Sequence, residues 1–349
     1  MRKEGMSVNK TPGEEGPVSS PGPGSDGGEG PRPILVISRC LGFEACRWNG
    51  EVVRDPFVEV LVPHVRVITV CPEVDMGLGV PREPVHLEVW DSGIRLVQFG
   101  PRIDHTEGML AFSRKFLKGL KEVDGFLLKA RSPSCGNRDV KVYPRGSDDR
   151  GAIGKSAGIF AAEVMNFFPG LPVESEGRLR NHRIREHFLT RIFLYARFRK
   201  ALAAGTRGSL VEFHSRHKLI LMAYHQERLR EMGRLLARAA DYPIPELFRL
   251  YREHLLRATQ RLPRRTSHLN VLMHAMGYFS RDLSPREKSH FLSLLEGFRE
   301  GKQPLSAPLA VINSWIARFG QEYLESQHYF RPYPEELVIL DDSGKGRDL

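Results

Sequence analysis

Two patterns of hydrophobic residues divide the chain near residue 180. Before it, short runs rich in Val, Ile and Leu alternate with polar and turn-forming stretches. The clearest runs are ILVIS (34–38), VRVITV (65–70) and GFLLKA (125–130). Runs of this kind are typical of strands buried on both faces, as in a parallel sheet. Two further runs, HLEVW (86–90) and IRLVQF (94–99), flank a turn and predict a hairpin or edge strands.

Helical periodicity occurs twice within this first half. Apolar residues at helical spacing predict helices over 105–121 and 155–168. Strands that alternate with helices indicate an α/β fold. We therefore predict an α/β domain with a mostly parallel sheet over residues 33–180.

After residue 181 the pattern changes to long amphipathic segments with apolar residues at i, i+3/i+4 and i+7. These segments cover 185–202, 210–240, 244–262, 268–280 and 284–300. Ser284 to Glu287 has the form of a capping box, with Pro285 at the first helical position. The pattern predicts an all-α helical domain over 181–340, with a loosely ordered tail over 341–349.

The N-terminal segment differs from both halves. Residues 1–32 are rich in Gly, Pro, Ser and Glu, which bury too little apolar surface to offset chain entropy, so we predict disorder there. The segment lacks the apolar region of a signal peptide. No apolar run approaches the roughly 20 residues that span a bilayer. These features predict a cytoplasmic protein with no membrane partner.

Charge separates the two halves as well. The chain holds 52 Lys and Arg against 42 Asp and Glu, a net charge of +10. Residues 1–180 contain equal numbers of basic and acidic residues, so the whole excess lies in the helical half. A basic half beside a neutral half suggests a polyanionic partner, although many solvated arginines would give the same count.

All four cysteines lie in the first half. Cys40, Cys71 and Cys135 each follow a predicted strand and sit among turn residues, and Cys46 comes six residues after Cys40. The carboxyl ends of parallel strands form a ligand crevice, so the three would meet at one edge of the sheet. They could be small buried side chains, zinc ligands, or iron–sulfur ligands. The tight C-x-x-C pairs of most structural zinc sites are absent, but spacing alone leaves the metal open.

The motifs around the cysteines resemble the thiouracil desulfidase family, also known as DUF523. The matching motifs are SRCLG with RWNG, CPEVDMGLGVPREPVHLE, LKARSPSCG and GIFAAEV. The rest of the chain resembles the DUF1722 helical domain through FHSRHKLILMAYH, TSHLNVLMHAMGYF, LSPREK, FREGKQPLSAPL and YLESQHYFRPYP. Chains with both domains in this order resemble desulfidases that remove sulfur from 4-thiouridine in tRNA.

This resemblance implies a 4Fe–4S cluster held by three cysteines, with one iron open to substrate. The matching positions are Cys40, Cys71 and Cys135, whereas Cys46 has no assigned place and is a bystander or a labile fourth ligand. The chain departs from the family pattern at Asn49, where R-Y-D-G usually has an aspartate. We expect the lost carboxylate to alter contacts near the cluster.

Two residues beside these cysteines are candidates for the chemistry. Converting C=S to C=O by water requires proton transfer, and Glu73, two residues after Cys71, is our candidate acid and base. Ser134, beside Cys135, could orient the substrate or donate to a cluster sulfur. Glu73 could instead be a carboxylate at a helix start, and Ser134 an ordinary turn residue.

The helical half supplies candidate RNA contacts. A polar, basic helix start contains Arg264, Arg265, His268 and Asn270, and an earlier helix carries His217 and Lys218. His214 and His217 share a helix face and could instead be packed inside. The predicted function is desulfuration of a thiolated uracil, foremost 4-thiouridine in tRNA. The alternatives are a desulfidase of free thiouracil or thio-nucleotides, and a non-catalytic metal-bearing RNA-binding protein.

Overall fold

Eight strands form two sheets in the computed structural model of the protein, which describes residues 30–146 and 151–339. The strands are β1 (Ile34–Ser38), β2 (Arg66–Val70), β3 (Val85–Trp90), β4 (Gly93–Gln98), β5 (Gly125–Leu128), β6 (Val140–Pro144), β7 (Gly154–Ser156) and β8 (Val173–Ser175). In the first sheet the order is β2-β1-β5-β8, and every pair is parallel. The second has the order β4-β3-β6-β7, with a parallel β3–β6 pair between two antiparallel pairs. The predicted parallel sheet and the predicted hairpin are both confirmed.

Twelve α-helices accompany the sheets in the described residues. They are α1 (Pro56–Leu61), α2 (Pro72–Asp75), α3 (Thr106–Gly119), α4 (Ile159–Phe167), α5 (His182–Ala204), α6 (Arg207–Tyr224), α7 (Gln226–Ala237), α8 (Ile244–Ala258), α9 (Arg265–Gly277), α10 (Pro285–Arg299), α11 (Ser306–Phe319) and α12 (Glu322–Glu325). The chain after α5 is helical, as predicted, and α10 begins with the predicted capping box at Ser284. No described helix is both long and apolar enough to cross a membrane.

Two predicted helices have different bounds in the structure. The helix predicted over 155–168 begins only at Ile159, because residues 154–156 pair with β6 as β7. The segment 210–240 is two helices, since His225 adopts an extended backbone between α6 and α7. Its side chain accepts a hydrogen bond from the backbone N–H of Arg228 and caps α7.

The parallel sheet is covered on both faces, which explains its continuous apolar runs. On one face Leu35, Ile37 and Leu127 share a buried cluster with Phe188 and Ile192 of α5. The alternate strand residues share a second cluster with α3 and α4. Asp124, buried before β5, accepts from the backbone N–H of Ile34 at 2.8 Å and pairs with Arg199 of α5 at 3.0 Å.

The described part of the helical half is continuous with this core. The described residues from Pro31 onward form one compact unit. The division into domains at residue 180 stays a prediction from sequence. The predicted disorder of residues 1–32 and the predicted tail over 341–349 lie outside the described residues, apart from residues 30–32.

Candidate metal centre

The four cysteines converge at the carboxyl edge of the parallel sheet. Cys40 comes two residues after β1, Cys71 directly follows β2, and Cys135 lies in the loop after β5. All four are buried free thiols, and Cys46 is fully enclosed. Parallel strand order therefore brings Cys40, Cys71 and Cys135 to one edge, as the sequence predicted.

Cys46 belongs to the same group of thiols. Its thiol hydrogen-bonds with those of Cys40 and Cys71, and the Sγ of Cys71 donates to the carbonyl oxygen of Cys46 at 3.7 Å. The hydrogen bond to Cys40, together with burial, raises the pKa of Cys46 to about 11. The hydrogen bond to Cys46 raises the pKa of Cys71, and burial raises that of Cys135, both well above the usual range. Protons therefore occupy these sulfurs at neutral pH when no metal replaces them.

The four thiols have the chemistry of iron–sulfur ligands. In the ranges 30–146 and 151–339, no three His, Cys, Asp or Glu side chains are arranged to hold a single metal ion. Buried thiols gathered from several strand ends are the soft donors that clusters require. The cysteines thus fit the cluster that the family resemblance implies.

Glu73 lies in α2 and connects the Cys71 loop to the Cys135 loop. Its Oε1 accepts a hydrogen bond from the Oγ of Ser134 at 2.9 Å, and Ser134 is fully buried. Its Oε2 accepts from Nε and Nη2 of Arg82, the former at 3.1 Å. The two candidate residues Glu73 and Ser134 are therefore in direct contact, and the Glu73 carboxylate forms an ion pair with the Arg82 guanidinium.

Arg82 is a site residue that the sequence analysis did not single out. Its side chain is 5% exposed, and Nη1 donates to the carbonyl oxygens of Cys46 and Gly79 at 3.2 and 3.0 Å. Its backbone N–H donates to the carbonyl oxygen of Trp48 at 2.9 Å. Arg82 thus joins the Cys46 segment to Glu73. The sequence Pro-Arg-Glu at 81–83, which lies within a motif shared with the family, was the signal that could have identified Arg82. The local sequence pattern does not show where its side chain points.

A second ion pair joins the first two cysteine loops. Nη2 of Arg39 donates to both carboxylate oxygens of Asp75 at 2.8 and 2.9 Å. Oδ2 of Asp75 also accepts from the backbone N–H of Cys71 at 3.1 Å. The Cys40 loop and the Cys71 loop are therefore held together by contacts that do not involve sulfur.

The Cys135 loop docks on the start of α4. The backbone N–H groups of Gly158, Ile159 and Ala161 donate to loop carbonyl oxygens between Pro133 and Gly136, at 2.7 to 3.1 Å. Gly158 permits this approach, since a Cβ there would lie 2.5 Å from the backbone carbonyl carbon and oxygen of Ser134. The glycine of the GIFAAEV motif is therefore required by the close approach of two backbones.

We expect Gly158→Ala to lower the free energy of unfolding by about 1–3 kcal/mol, because the added methyl forces the Cys135 loop away from α4. Urea denaturation measures the change. Gly119→Ala, at the end of α3, is the matched control, since a Cβ there meets nothing within 4 Å. Equal stability of the two variants would contradict the close packing at Gly158.

The departure at Asn49 has a local explanation. Its Oδ1 accepts a hydrogen bond from the backbone N–H of Glu51 at 3.3 Å, and an aspartate could accept the same bond. Asn49 therefore retains the turn that this position shapes. The neighbouring Trp48 side chain is 45% exposed, in a segment that Arg82 anchors.

The candidate RNA contacts divide into exposed and packed residues. Arg264, Arg265 and Lys218 are exposed, and α9 begins at Arg265 without a side-chain cap. Asn270 is half-buried. The half-buried His268 hydrogen-bonds to the hydroxyl of Tyr329 at 2.8 Å, and burial lowers its pKa to about 4.

His217 does not reach the surface. It is 2% exposed, its Nδ1–H donates to the carbonyl oxygen of Phe213 at 2.7 Å, and its ring stacks on Phe213 and His328. His214 hydrogen-bonds to the hydroxyl of Tyr251 at 3.0 Å. His214 and His217 are therefore packed against neighbouring side chains, which is one of the two alternatives that the sequence left open. Because His217 is buried, it is not available for contact with RNA.

Two families match the chain. The model of the 2-thiouracil desulfurase family matches residues 35–176, and the model of DUF1722, a protein family of unknown function, matches residues 218–334. The cysteine edge and the Glu73–Ser134 contact lie entirely within the first match. The exposed arginines at the start of α9 lie within the second.

Two relatives and one solved structure are similar to the chain. The uncharacterized protein YbgA of Escherichia coli (strain K12) is 31% identical over 164 residues, which are 47% of this chain and 87% of YbgA. The uncharacterized protein YbbK of Bacillus subtilis (strain 168) is 30% identical over 112 residues, 30% of this chain and 74% of YbbK. The 4Fe–4S-dependent thiouracil desulfidase TudS is 22% identical, with a TM-score of 0.34 over 42% of this chain and 93% of TudS.

Proposed function

Because the chain belongs to the 2-thiouracil desulfurase family and also carries a DUF1722 domain, we propose that it is a desulfidase that converts C=S to C=O in 4-thiouridine of tRNA. The observation that carries the proposal is the convergence of four buried thiols with the Glu73–Ser134–Arg82 network at one sheet edge. The net reaction consumes one water and releases hydrogen sulfide, so no electron donor is required.

Cys40, Cys71 and Cys135 would hold the 4Fe–4S cluster. When bound, the cluster supplies a Lewis-acidic iron with an open position for a soft thiocarbonyl sulfur. Cys46 lies against Cys40 and Cys71 and would border the cluster. All four thiols are buried, so bulk water has little access to their sulfurs.

Glu73 would accept a proton from the attacking water. Two nitrogens of Arg82 donate hydrogen bonds to Oε2 of Glu73. The other carboxylate oxygen, Oε1, would therefore be the one that takes up and releases the proton. Ser134 donates to that same Oε1, so its hydroxyl can pass a proton to Glu73 or orient the water. The proton held on Oε1 can then return to the departing sulfide.

Charge and exposure in the helical half support RNA as the substrate. The whole net charge of +10 lies beyond residue 180. Arg264 and Arg265 are exposed at the beginning of α9, where the backbone N–H groups carry no side-chain cap. Arginines beside a helix N-terminus are suited to phosphate.

We expect tRNA binding by the full-length protein to weaken steeply with salt, because each neutralised phosphate releases counterions. Arg264→Ala with Arg265→Ala should reduce the slope of log K against log salt by about 0.7–0.9 per arginine. Fluorescence anisotropy with labelled tRNA measures the slope. Lys115→Ala with Lys118→Ala, on exposed α3 positions, is a matched control with the same loss of charge.

Turnover separates this proposal from its alternatives. Sulfide release from thiolated tRNA and from free 4-thiouracil should both be measured with the iron-loaded protein. Turnover of 4-thiouracil alone, without tRNA binding at low salt, would establish the free-base desulfidase instead. Binding of tRNA without sulfide release from either substrate would favour the non-catalytic RNA-binding protein.

A further inference from the structure

Cys46 is the one cysteine that the proposed mechanism does not use. It lies on the segment between β1 and α1 and is fully enclosed, with 0% of its surface exposed. Nη1 of Arg82 donates to its carbonyl oxygen at 3.2 Å, and the same guanidinium pairs with Glu73 of α2, so the segment is fixed beside α2. The chemistry of a buried thiol at a fixed position depends on the groups that its sulfur contacts.

Two of the groups that Cys46 contacts are other thiols. Its thiol hydrogen-bonds with those of Cys40 and Cys71. The contact with Cys71 is double, because Sγ of Cys71 also donates to the carbonyl oxygen of Cys46 at 3.7 Å. Cys135, by contrast, hydrogen-bonds with the hydroxyl of Ser38. Sulfurs in hydrogen-bond contact need only a short approach to reach the length of a disulfide, about 2.05 Å.

The thiols of this group differ in their access to solvent. Cys71 is 9% exposed, whereas Cys46 is 0% exposed. A small disulfide in solution would therefore meet Cys71 before Cys46. Cys40 is exposed to the same extent as Cys71, but the second contact, to the carbonyl oxygen of Cys46, belongs to Cys71. A mixed disulfide on Cys71 would lie against the thiol of Cys46, which can displace the small thiol.

We propose that Cys46 is a resolving thiol, which forms a reversible disulfide with Cys71 when the cluster is absent. Glutathione disulfide first forms a mixed disulfide with Cys71 and releases one glutathione. The sulfur of Cys46 then attacks Cys71 and releases the second glutathione, which takes up the proton of the Cys46 thiol. Two protein thiols are oxidised, and one glutathione disulfide is reduced to two thiols. An excess of dithiol reverses both steps.

The disulfide and the cluster exclude each other, because both need the sulfur of Cys71. Assembly of the metal centre would then require a reducing environment. The disulfide also keeps Cys71 from oxidation to a sulfinic acid, which thiols cannot reverse. The inference goes beyond the proposed function, since it concerns the cluster-free chain and holds for any substrate.

Thiol mapping on the cluster-free, full-length protein tests the proposal. The reduced protein is equilibrated without oxygen in buffers with an increasing share of glutathione disulfide, and the remaining thiols are alkylated. We expect the alkylated thiols to fall from four to two per chain, and excess dithiothreitol to restore all four. Cleavage after Glu44 places Cys40 and Cys46 in different peptides, so mass spectrometry identifies the partner of Cys71.

Three comparisons make the test specific. Cys46→Ala should form no such disulfide and should retain glutathione on Cys71, because the thiol that displaces it is gone. Cys40→Ala should still link Cys46 to Cys71. The iron-loaded wild type should form no link in the same buffers, since iron would bind the sulfur of Cys71.

The map of the wild type decides the proposal even where a variant does not fold. A disulfide that omits Cys46, or four thiols that all remain alkylated in glutathione disulfide alone, would overturn it. So would a link of Cys46 to Cys40 instead of Cys71. Failure of the proposed function would be distinct from these results. A protein that forms the link but releases no sulfide from any thiolated substrate would refute the desulfidase and not the disulfide.

Discussion

Replacing any one of Cys40, Cys71 or Cys135 with alanine is expected to abolish both iron retention and desulfuration. Each of the three approaches the sheet edge on a different loop, so each replacement removes one of the three thiolates that would hold the cluster. Iron and sulfide content after anaerobic reconstitution, with the visible absorbance of the protein, measures the effect. Near-ultraviolet circular dichroism shows whether each variant still folds.

Cys46→Ala is the matched control for this series. Cys46 is as buried as the other three cysteines and contacts two of them. Its replacement therefore tests whether a cysteine that only contacts the other thiols is needed to hold the cluster. We expect this variant to retain iron. If it loses iron as completely as the alanine variants, four cysteines hold the cluster, and the open iron position is lost from the mechanism.

Glu73→Gln is expected to keep the cluster and reduce turnover about 10²–10⁴-fold, the usual contribution of a positioned acid or base. The amide oxygen can still accept from Ser134 or Arg82, but it cannot take up a proton. Single-turnover sulfide release, normalised to iron content, separates this loss from incomplete loading.

Two further variants make the Glu73 test specific. Glu83→Gln applies the same chemical change to an exposed glutamate of the same segment and should leave turnover unchanged. Arg82→Lys keeps the positive charge but removes the two-point contact with Oε2, so it should reduce kcat less than Glu73→Gln does. A fully loaded Glu73→Gln protein with wild-type turnover would exclude Glu73 as the acid and base.

The sequence predicted the central strands because their apolar runs are continuous. β1 and β5 are fully buried, whereas β2 is a half-buried edge strand. The position of the three strands before Cys40, Cys71 and Cys135 was enough to bring those residues together. The strands β6, β7 and β8 were not predicted. β7 and β8 have three residues each, and the sequences VKVYP, GKS and VES contain too few apolar positions to show a period.

The contacts within the site were less accessible to sequence reasoning. Glu73 and Ser134 were chosen for their nearness to cysteines, but their mutual hydrogen bond joins residues 61 positions apart. Arg82 and Cys46 reach the site through irregular loops, whose direction no periodic pattern encodes.

The position of α5 has a consequence for how this architecture could be assembled. α5 follows the desulfurase match in sequence, yet its Phe188 and Ile192 cover one face of the catalytic sheet, and its Arg199 neutralises Asp124 beneath β1. A desulfurase domain that occurs without a helical partner must shield that face with some other element. α5 is therefore the element by which the helical half completes the core of the sheet that carries the cysteines.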